Sequence, residues 1–222
     1  MPLIREAIVT TVDRLGKAHL APLGLIAEGD RWILAPFRPS TTLENLRQAP
    51  FAVANLTDDV RVFAGCLTGR REWPLAPATV VAAPRLAATL AHLELVVVEV
   101  REHELRPRFV CRVAHRATHA PFEGFNRAQA AVIEGAVLVS RLHLLPRAEV
   151  EAEFARLEII VGKTAGAAEA EAWGWLKEKA VQFFAAGGIA NPQMIIERPG
   201  QEERAPVRGQ GKAAIAPALN LH

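Results

Sequence analysis

Between Arg38 and Thr42 the chain sets one guanidinium beside three hydroxyls, Arg38-Pro39-Ser40-Thr41-Thr42. The run follows an apolar stretch, Trp32 to Leu34, that reads as a strand, and leads into Leu43-Glu44-Asn45-Leu46, which reads as the start of a helix. Free backbone N–H groups at a helix N-terminus, with hydroxyl donors and an arginine beside them, make a site for a phosphate group. The plainer reading is an N-cap, in which Ser40 or Thr41 satisfies an orphan amide and Glu44 completes a capping box of the S/T-x-x-E kind. The two are compatible, because capping engages one hydroxyl and leaves the others free.

The remaining reactive side chains group less clearly, and none stands out as a general acid, base or nucleophile. Val161-Gly162-Lys163-Thr164 has the ending of a nucleotide-binding P-loop, but Leu157 stands where the first glycine belongs, so a helix terminus is expected there. His103, His115 and His119 lack the regular ligand spacing of a closed zinc site, and no metal is expected. Asp58-Asp59 reads as a turn, since adjacent carboxylates on an extended chain point to opposite sides. Phe122-Glu123-Gly124-Phe125-Asn126-Arg127 brings a carboxylate, a guanidinium and two aromatics to a helix start. It reads either as a patch that covers a ligand or meets a partner subunit, or as a capped helix start with a hydrophobic staple.

The elements that must position these residues begin with three β-rich runs, Ile4 to Asp13, Ala18 to Ala27 and Arg31 to Pro36. Turns at Asp13–Lys17 and Glu28–Asp30 join them, which predicts an antiparallel meander. Thr42 to Gln48 reads as a short helix that Pro50 ends, and Phe51 to Leu56 as a strand that Val60 to Cys66 continues. Closing so many short strands into a barrel removes their exposed edges. Leu67 to Ala91 reads as a loop with one short helix near Pro84 to Leu90. Leu93 to Glu104 and Arg108 to Thr118 form the clearest strand pair, the first apolar on both faces around Leu95 to Val98.

After Pro121 the periodicity turns helical. Asn126 caps a helix running toward Leu142, with Ala130, Ile133, Val137 and Arg141 along one side. Pro146 opens a second, striped by Val150, Phe154, Leu157 and Val161, and Ala167 to Phe184 forms a third, striped by Trp173, Leu176, Ala180 and Phe184 and stopped by Gly187-Gly188. The expected organisation is a barrel over 1–120, a helical subdomain over 121–190 packed on the barrel or on a dimer partner, and a flexible tail over 191–222, where Pro, Gly, charge and Ala dominate.

Composition narrows the function. With 222 residues, half of them apolar, one substantial core is within reach. Twenty-six basic residues against 24 acidic ones, interspersed, give a net charge of only +2, which argues against a nucleic-acid surface; the absence of Tyr argues against a base-stacking platform. Cys66 and Cys111 stand apart without a partner motif, as expected of reduced, buried thiols. Charges in Met1 to Glu6 occupy the place where a signal peptide needs apolar residues, and no stretch is long and apolar enough to cross a bilayer. A cytoplasmic protein without membrane contact is expected.

From Arg5 to Asp59 the chain resembles the FMN-binding split barrels, the superfamily of flavin reductases and pyridoxamine-phosphate oxidase. The resemblance lies in Glu6 to Thr11, Ala21-Pro22-Leu23-Gly24, Arg38 to Thr42 with Asn45-Leu46, and Asn55 to Asp59. Phe122 to Ala128, Ser140-Arg141-Leu142 and Lys163 to Gly166 look like one branch of it, a domain of unknown function recurrent in methane-producing archaea and in bacteria that oxidise one-carbon compounds. The resemblance implies an α+β, mainly β fold: an antiparallel split β-barrel of the FMN-binding type with a C-terminal helical subdomain. It further implies a homodimer with the flavin near the subunit interface. Arg38, Ser40, Thr41 and Thr42 would hold the FMN phosphate, with Asn45 facing the ligand. Ala21, Pro22 and Leu23 would flank the ring, and Thr10, Thr11, Asn55 and Thr57 would meet its edge or the ribityl hydroxyls. The catalytic residues stay unassigned, which suits a cofactor that carries its own redox chemistry. The functions implied are an FMN-dependent oxidoreductase for a small cytoplasmic substrate, drawing on NADH or NADPH and with a link to pterin-dependent one-carbon metabolism, or a non-catalytic flavin sensor or carrier. A partner-binding scaffold without cofactor is the third reading, and the retained Arg38 and hydroxyls speak against it.

Overall fold

Three strands, β1 (Ile4–Val12), β2 (Ala18–Glu28) and β3 (Arg31–Leu34), make the N-terminal meander of the computed structural model, which describes residues 2–188. Gly16 (φ 79°) and Gly29 (φ 61°) occupy the left-handed conformation at the two tight turns, where a side chain would be strained. Helix α1 (Thr41–Gln48) follows, then β4 (Phe51–Leu56), helix α2 (Val60–Thr68), and a minimal hairpin of β5 (Leu75–Ala76) with β6 (Arg85–Leu86). The long strands β7 (Ala91–Arg101) and β8 (Arg108–Thr118) complete the sheet. The six longer strands close into a barrel in the order β1-β2-β3-β8-β7-β4, antiparallel at each pairing.

Alternation along the strands divides the side chains into an interior set and an outer set. Ala7, Val9, Ala54, Leu95, Phe109 and Cys111 fill the barrel together with Leu43 and Leu46, so α1 supplies part of the barrel core. Ile8 and Leu20 belong to the outer set and lie under α2 and the β5–β6 hairpin, against Phe63, Cys66 and Leu86. The barrel is open along one stretch. β2 meets β3 only over Ile26 to Glu28, so from Ala18 to Leu25 its far edge has no strand partner among the described residues. Pro22, which has no N–H to donate, falls in that stretch.

Three helices complete the described chain: α3 (Arg127–Ser140), α4 (Arg147–Thr164) and α5 (Ala167–Ala185). With α2 they enclose a second core containing Val60, Val132, Leu157, Trp173 and Leu176. None of the described helices is long and apolar enough to cross a membrane.

Three local expectations are corrected. Val60 to Thr68 is helical and not a continuing strand: Asp59 accepts the Arg61 N–H at its start, and Gly69, at φ 91°, ends it. The segment near Pro84 to Leu90 holds the short strand β6 in place of a helix, because Asn55 and Pro74 take up the amides of Leu86 and Ala87. In α3 the buried face is Ala128, Ala131, Val132, Gly135, Ala136 and Val139, not the line through Ala130 and Arg141. Small residues there admit Trp173 against the backbone of Gly135. The tail over 191–222 lies outside the described residues.

Candidate functional site

The Arg38–Thr42 segment leaves β3 and turns into α1 through a cis Arg38–Pro39 peptide. Ser40 is the N-cap: its Oγ accepts the Leu43 N–H at 3.3 Å, and its carbonyl accepts the Glu44 N–H at 3.1 Å. Glu44 stands one position too far along to close a capping box on Ser40. The amides of Thr41 and Thr42 find no acceptor among the described residues, so the helix N-terminus keeps two unengaged donors beside the Thr41 hydroxyl.

Positive charge gathers at this corner from elements distant in sequence. Arg38 meets Glu102 at 3.3 Å, while Arg47, in the last turn of α1, meets the same carboxylate at 2.8 Å. Arg106 donates from Nε and Nη2 to the Ala35 carbonyl and lies over the Phe37 ring, 4.3 Å from its centroid. Burial, and then the fields of Arg141 and Arg108, pull the Arg106 pKa below the usual guanidinium value. Glu102 and Arg106 escaped the sequence reading because only the return of the β7–β8 hairpin brings them to Arg38, and Arg47, on α1, because only Glu102 ties it to this corner; the Arg38 N–H bonded to the Leu105 carbonyl at 2.9 Å marks that return.

Other residues expected to touch a ligand are engaged inside the chain. Asn45 donates from Nδ2 to Thr11 Oγ1 at 3.0 Å, both residues buried, and so joins α1 to the barrel wall. Asn55, on the outer side of the wall, donates to the Ile8 carbonyl at 2.9 Å and to Thr10 Oγ1 at 3.0 Å, and accepts the Leu86 N–H at 2.7 Å. Asn55, Thr10 and Thr11 are all 0% exposed, so these side chains, with Asn45, shape and brace the wall and offer no group at its surface. Thr57 accepts the Asp59 N–H at 3.1 Å in the turn before α2, remote from Arg38 along β4. Ala21, Pro22 and Leu23 are half-buried along the open edge of β2.

A second polar cluster joins His115 and His119, set aside in the sequence for want of ligand spacing, to His92 and Glu94, which the sequence reading did not single out. His92 and Glu94, two apart on β7, share a face, and the β7–β8 register sets His115 opposite Glu94. Glu94 is fully buried, with His92 Nε2 at 3.2 Å from its Oε1 and the amides of Thr79, Val80 and Val81 at 2.6–2.7 Å from its two oxygens. Burial alone would raise its pKa, but the three backbone amides, with the His92 ring beside them, hold it down to about 2. The usable signal was an i, i+2 polar pair inside an otherwise apolar strand.

Asn126 is the N-cap of α3, accepting the Ala128 N–H at 2.7 Å while donating to the Thr164 carbonyl at 3.1 Å. Phe122 and Phe125 ahead of it touch edge to face and are exposed, so no staple forms.

Comparison with known proteins agrees with this architecture. One crystal structure, of an FMN-bound protein of family DUF447 from Methanosarcina mazei, superposes with a TM-score of 0.71 at 20% identity, over 81% of this chain and 96% of that one. A 2-nitrobenzoate 2-nitroreductase from Pseudomonas fluorescens gives a TM-score of 0.45 at 17% identity, over 54% of this chain and 66% of that one. An FMN-binding protein from Thermus thermophilus, with cyclohex-2-enone bound, gives 0.44 at 17%, over 53% and 71%. The fold is the antiparallel split barrel with C-terminal helices. A search of curated proteins finds no match. Residues 5–120 match the N-terminal domain of the protein family of unknown function DUF447 and residues 126–178 match its C-terminal part, so the chain belongs to that family.

Proposed function

We propose that this protein binds FMN through the corner formed by Arg38, Ser40, Thr41 and Thr42, and uses it as a flavin-dependent oxidoreductase on a small cytoplasmic substrate. One observation carries the reading: the start of α1 keeps two unengaged amides and a free hydroxyl next to Arg38, which shares the single carboxylate of Glu102 with Arg47, while Arg106 adds a third guanidinium on the Ala35 carbonyl three residues before Arg38. A phosphate dianion suits that excess of donors and charge. Of the two pairs made by Glu102, the longer, to Arg38, is the one a phosphate would displace, leaving Glu102 on Arg47. The family membership supports the choice of ligand, since the M. mazei protein of the same family is FMN-bound.

The ring would lie along the open edge of β2, where Ala21, Pro22 and Leu23 present half-buried backbone, while Thr10, Thr11, Asn45 and Asn55 keep the wall rigid behind it. When bound, FMN supplies the redox chemistry; the chain holds its phosphate, orients the ring and limits water. The reading includes a homodimer. Val98 and Val100 on β7 and the Phe122–Phe125 pair are exposed apolar surface that a second copy would cover. It also includes NADH or NADPH as electron donor, and a substrate in pterin-linked one-carbon metabolism.

Purification of the full chain tests the reading. A yellow preparation that releases FMN on denaturation, bleaches anaerobically with NADH or NADPH and is reoxidised by an added acceptor is the expected result. A protein that binds FMN without bleaching would be a flavin carrier or sensor, and one with no affinity for FMN would end the proposal.

A further inference from the structure

We propose that His92, Glu94 and His115 form a binding site for a divalent transition-metal ion of the zinc class, with His119 fixing the tautomer of His92. The site is separate from the phosphate corner: Glu94 sits near the start of β7 and Glu102 one residue past its end, eight residues on, roughly 25 Å at the rise of a strand.

One potential ligand atom from each of His92, Glu94 and His115 lies within 4.8 Å of the other two. The spacing of the closest pair is informative. His92 Nε2 and Glu94 Oε1 are 3.2 Å apart. That is long for a hydrogen bond to a carboxylate, roughly 2.7–2.9 Å. It is close to the edge, about 3.3–3.4 Å, between two ligands held at roughly 2.0–2.1 Å in a tetrahedral zinc site.

The surroundings are already arranged for a cation. Glu94 Oε2 accepts the Val80 and Val81 amides and Oε1 accepts the Thr79 amide, which fixes the carboxylate plane and leaves its remaining acceptor capacity on Oε1, toward His92. On the other side of the His92 ring, Nδ1 is 2.8 Å from His119 Nε2. The ring planes differ by 8° and the centroids are 5.0 Å apart, so the two imidazoles lie edge to edge and share an N–H···N bond. With the proton on His92 Nδ1, donated to His119, Nε2 is a lone pair aimed at the site. Metal binding thus requires only that the neutral ring hold its proton on Nδ1, the outer-shell arrangement found behind histidine ligands generally. His92 is 2% exposed, while His115 is half-buried and gives the ion its way in. A bound ion would clamp the Thr79–Val81 segment onto β7 and β8.

Isothermal titration of the chelator-treated full chain with Zn²⁺, and of a parallel sample with Co²⁺ followed by its visible absorption, decides the matter. The expected result is one saturable site per chain, with Co²⁺ bands of four-coordinate intensity. His115→Ala, at a half-buried position on β8, abolishes that site while circular dichroism shows the fold retained. His119→Ala weakens it by about 10–100-fold, and His143→Ala, at an exposed position beyond α3, leaves it unchanged. Absence of a one-per-chain site, or His115→Ala binding as tightly as the unaltered protein, would show that Glu94 and His92 serve only to pin the Thr79–Val81 segment. FMN titration of the same samples stands apart from either outcome.

Discussion

Asn45 and Thr11 are joined by a buried 3.0 Å hydrogen bond that ties helix α1 to strand β1. Through it the start of α1, which carries Ser40 to Thr42, is held against the barrel wall. Asn45→Ala leaves the Thr11 hydroxyl without this partner in the barrel interior, at a cost of roughly 1–3 kcal/mol. Urea unfolding should show a lower midpoint with an unchanged m-value, and FMN affinity should fall as α1 loosens. An unchanged midpoint would mean that Leu43 and Leu46 alone seat the helix.

Arg38 and Glu102 make opposite predictions at one site. Arg38→Ala removes a charge-assisted donor and should weaken FMN by roughly 1.5–3 kcal/mol, with melting temperature almost unchanged because the Arg38–Glu102 pair is exposed. Glu102→Gln frees Arg38 and Arg47 from their carboxylate and should tighten FMN, most visibly at low salt. Fluorescence titration of the apoprotein reads both. The same sign for the two variants would place the phosphate elsewhere.

The N-terminal meander, the β7–β8 pair and the three late helices were legible in the sequence because their periodicities are regular and their turns carry Gly, Asp and Pro. Val60 to Thr68 was not. Val60, Val62, Phe63, Ala64, Gly65 and Cys66 are all buried, and an apolar run covered on most sides carries no period that separates helix from strand. The α3 stripe failed for a related reason, since its buried face is built of Ala and Gly, which hydrophobicity weighs lightly. At the site, Arg38 to Thr42 could be read from local chemistry. Arg47, Glu102 and Arg106 could not, because their meeting depends on the hairpin return. Asn55, Thr10 and Thr11 were legible as polar residues in apolar strands and Asn45 as one in a short apolar helix, but whether such a residue faces a ligand or another side chain is decided by strand register and helix facing.

Asn126 links the α3 start to the end of α4 through two bonds, one to Ala128 and one to Thr164. Asn126→Ala should cost about 0.5–2 kcal/mol as a lost cap, and Asn126→Asp, which can still accept the Ala128 amide but cannot donate to Thr164, should fall between. Thermal unfolding of the pair checks this. Lost FMN reduction with an unchanged melting point would move the segment into the functional site.

Burial pushes the Cys66 thiol up to about 11, against a small opposing effect of Arg71, and the Cys111 thiol up to about 12. Reaction with disulfide reagents needs the thiolate. The folded protein at pH 8 should therefore leave both cysteines unmodified over minutes with Ellman's reagent, and denaturant should release two thiols per chain. Prompt reaction of one thiol in the folded state would place Cys66, the more exposed of the two at 8%, in an opening segment of α2.

Gly135 and Gly174 flank the same tryptophan and should respond to alanine with opposite signs. A Cβ at Gly135 would stand 2.7 Å from Trp173 Cζ3 and 3.3 Å from Leu176 Cδ1, whereas one at Gly174 meets nothing within 4 Å. Alanine gains about 1 kcal/mol over glycine in a helix interior. At Gly174 that gain stands alone, so Gly174→Ala should be stabilising. At Gly135 it is opposed by overpacking, typically about 1–3 kcal/mol, and Trp173 cannot give way easily: its Nε1 donates to Glu158 and its ring lies against Phe154. Gly135→Ala should therefore be destabilising, by prising α3 from α5. Urea midpoints of the two variants measure both signs. A stabilised Gly135→Ala would show that the α3–α5 contact is looser than the packing of Trp173 implies.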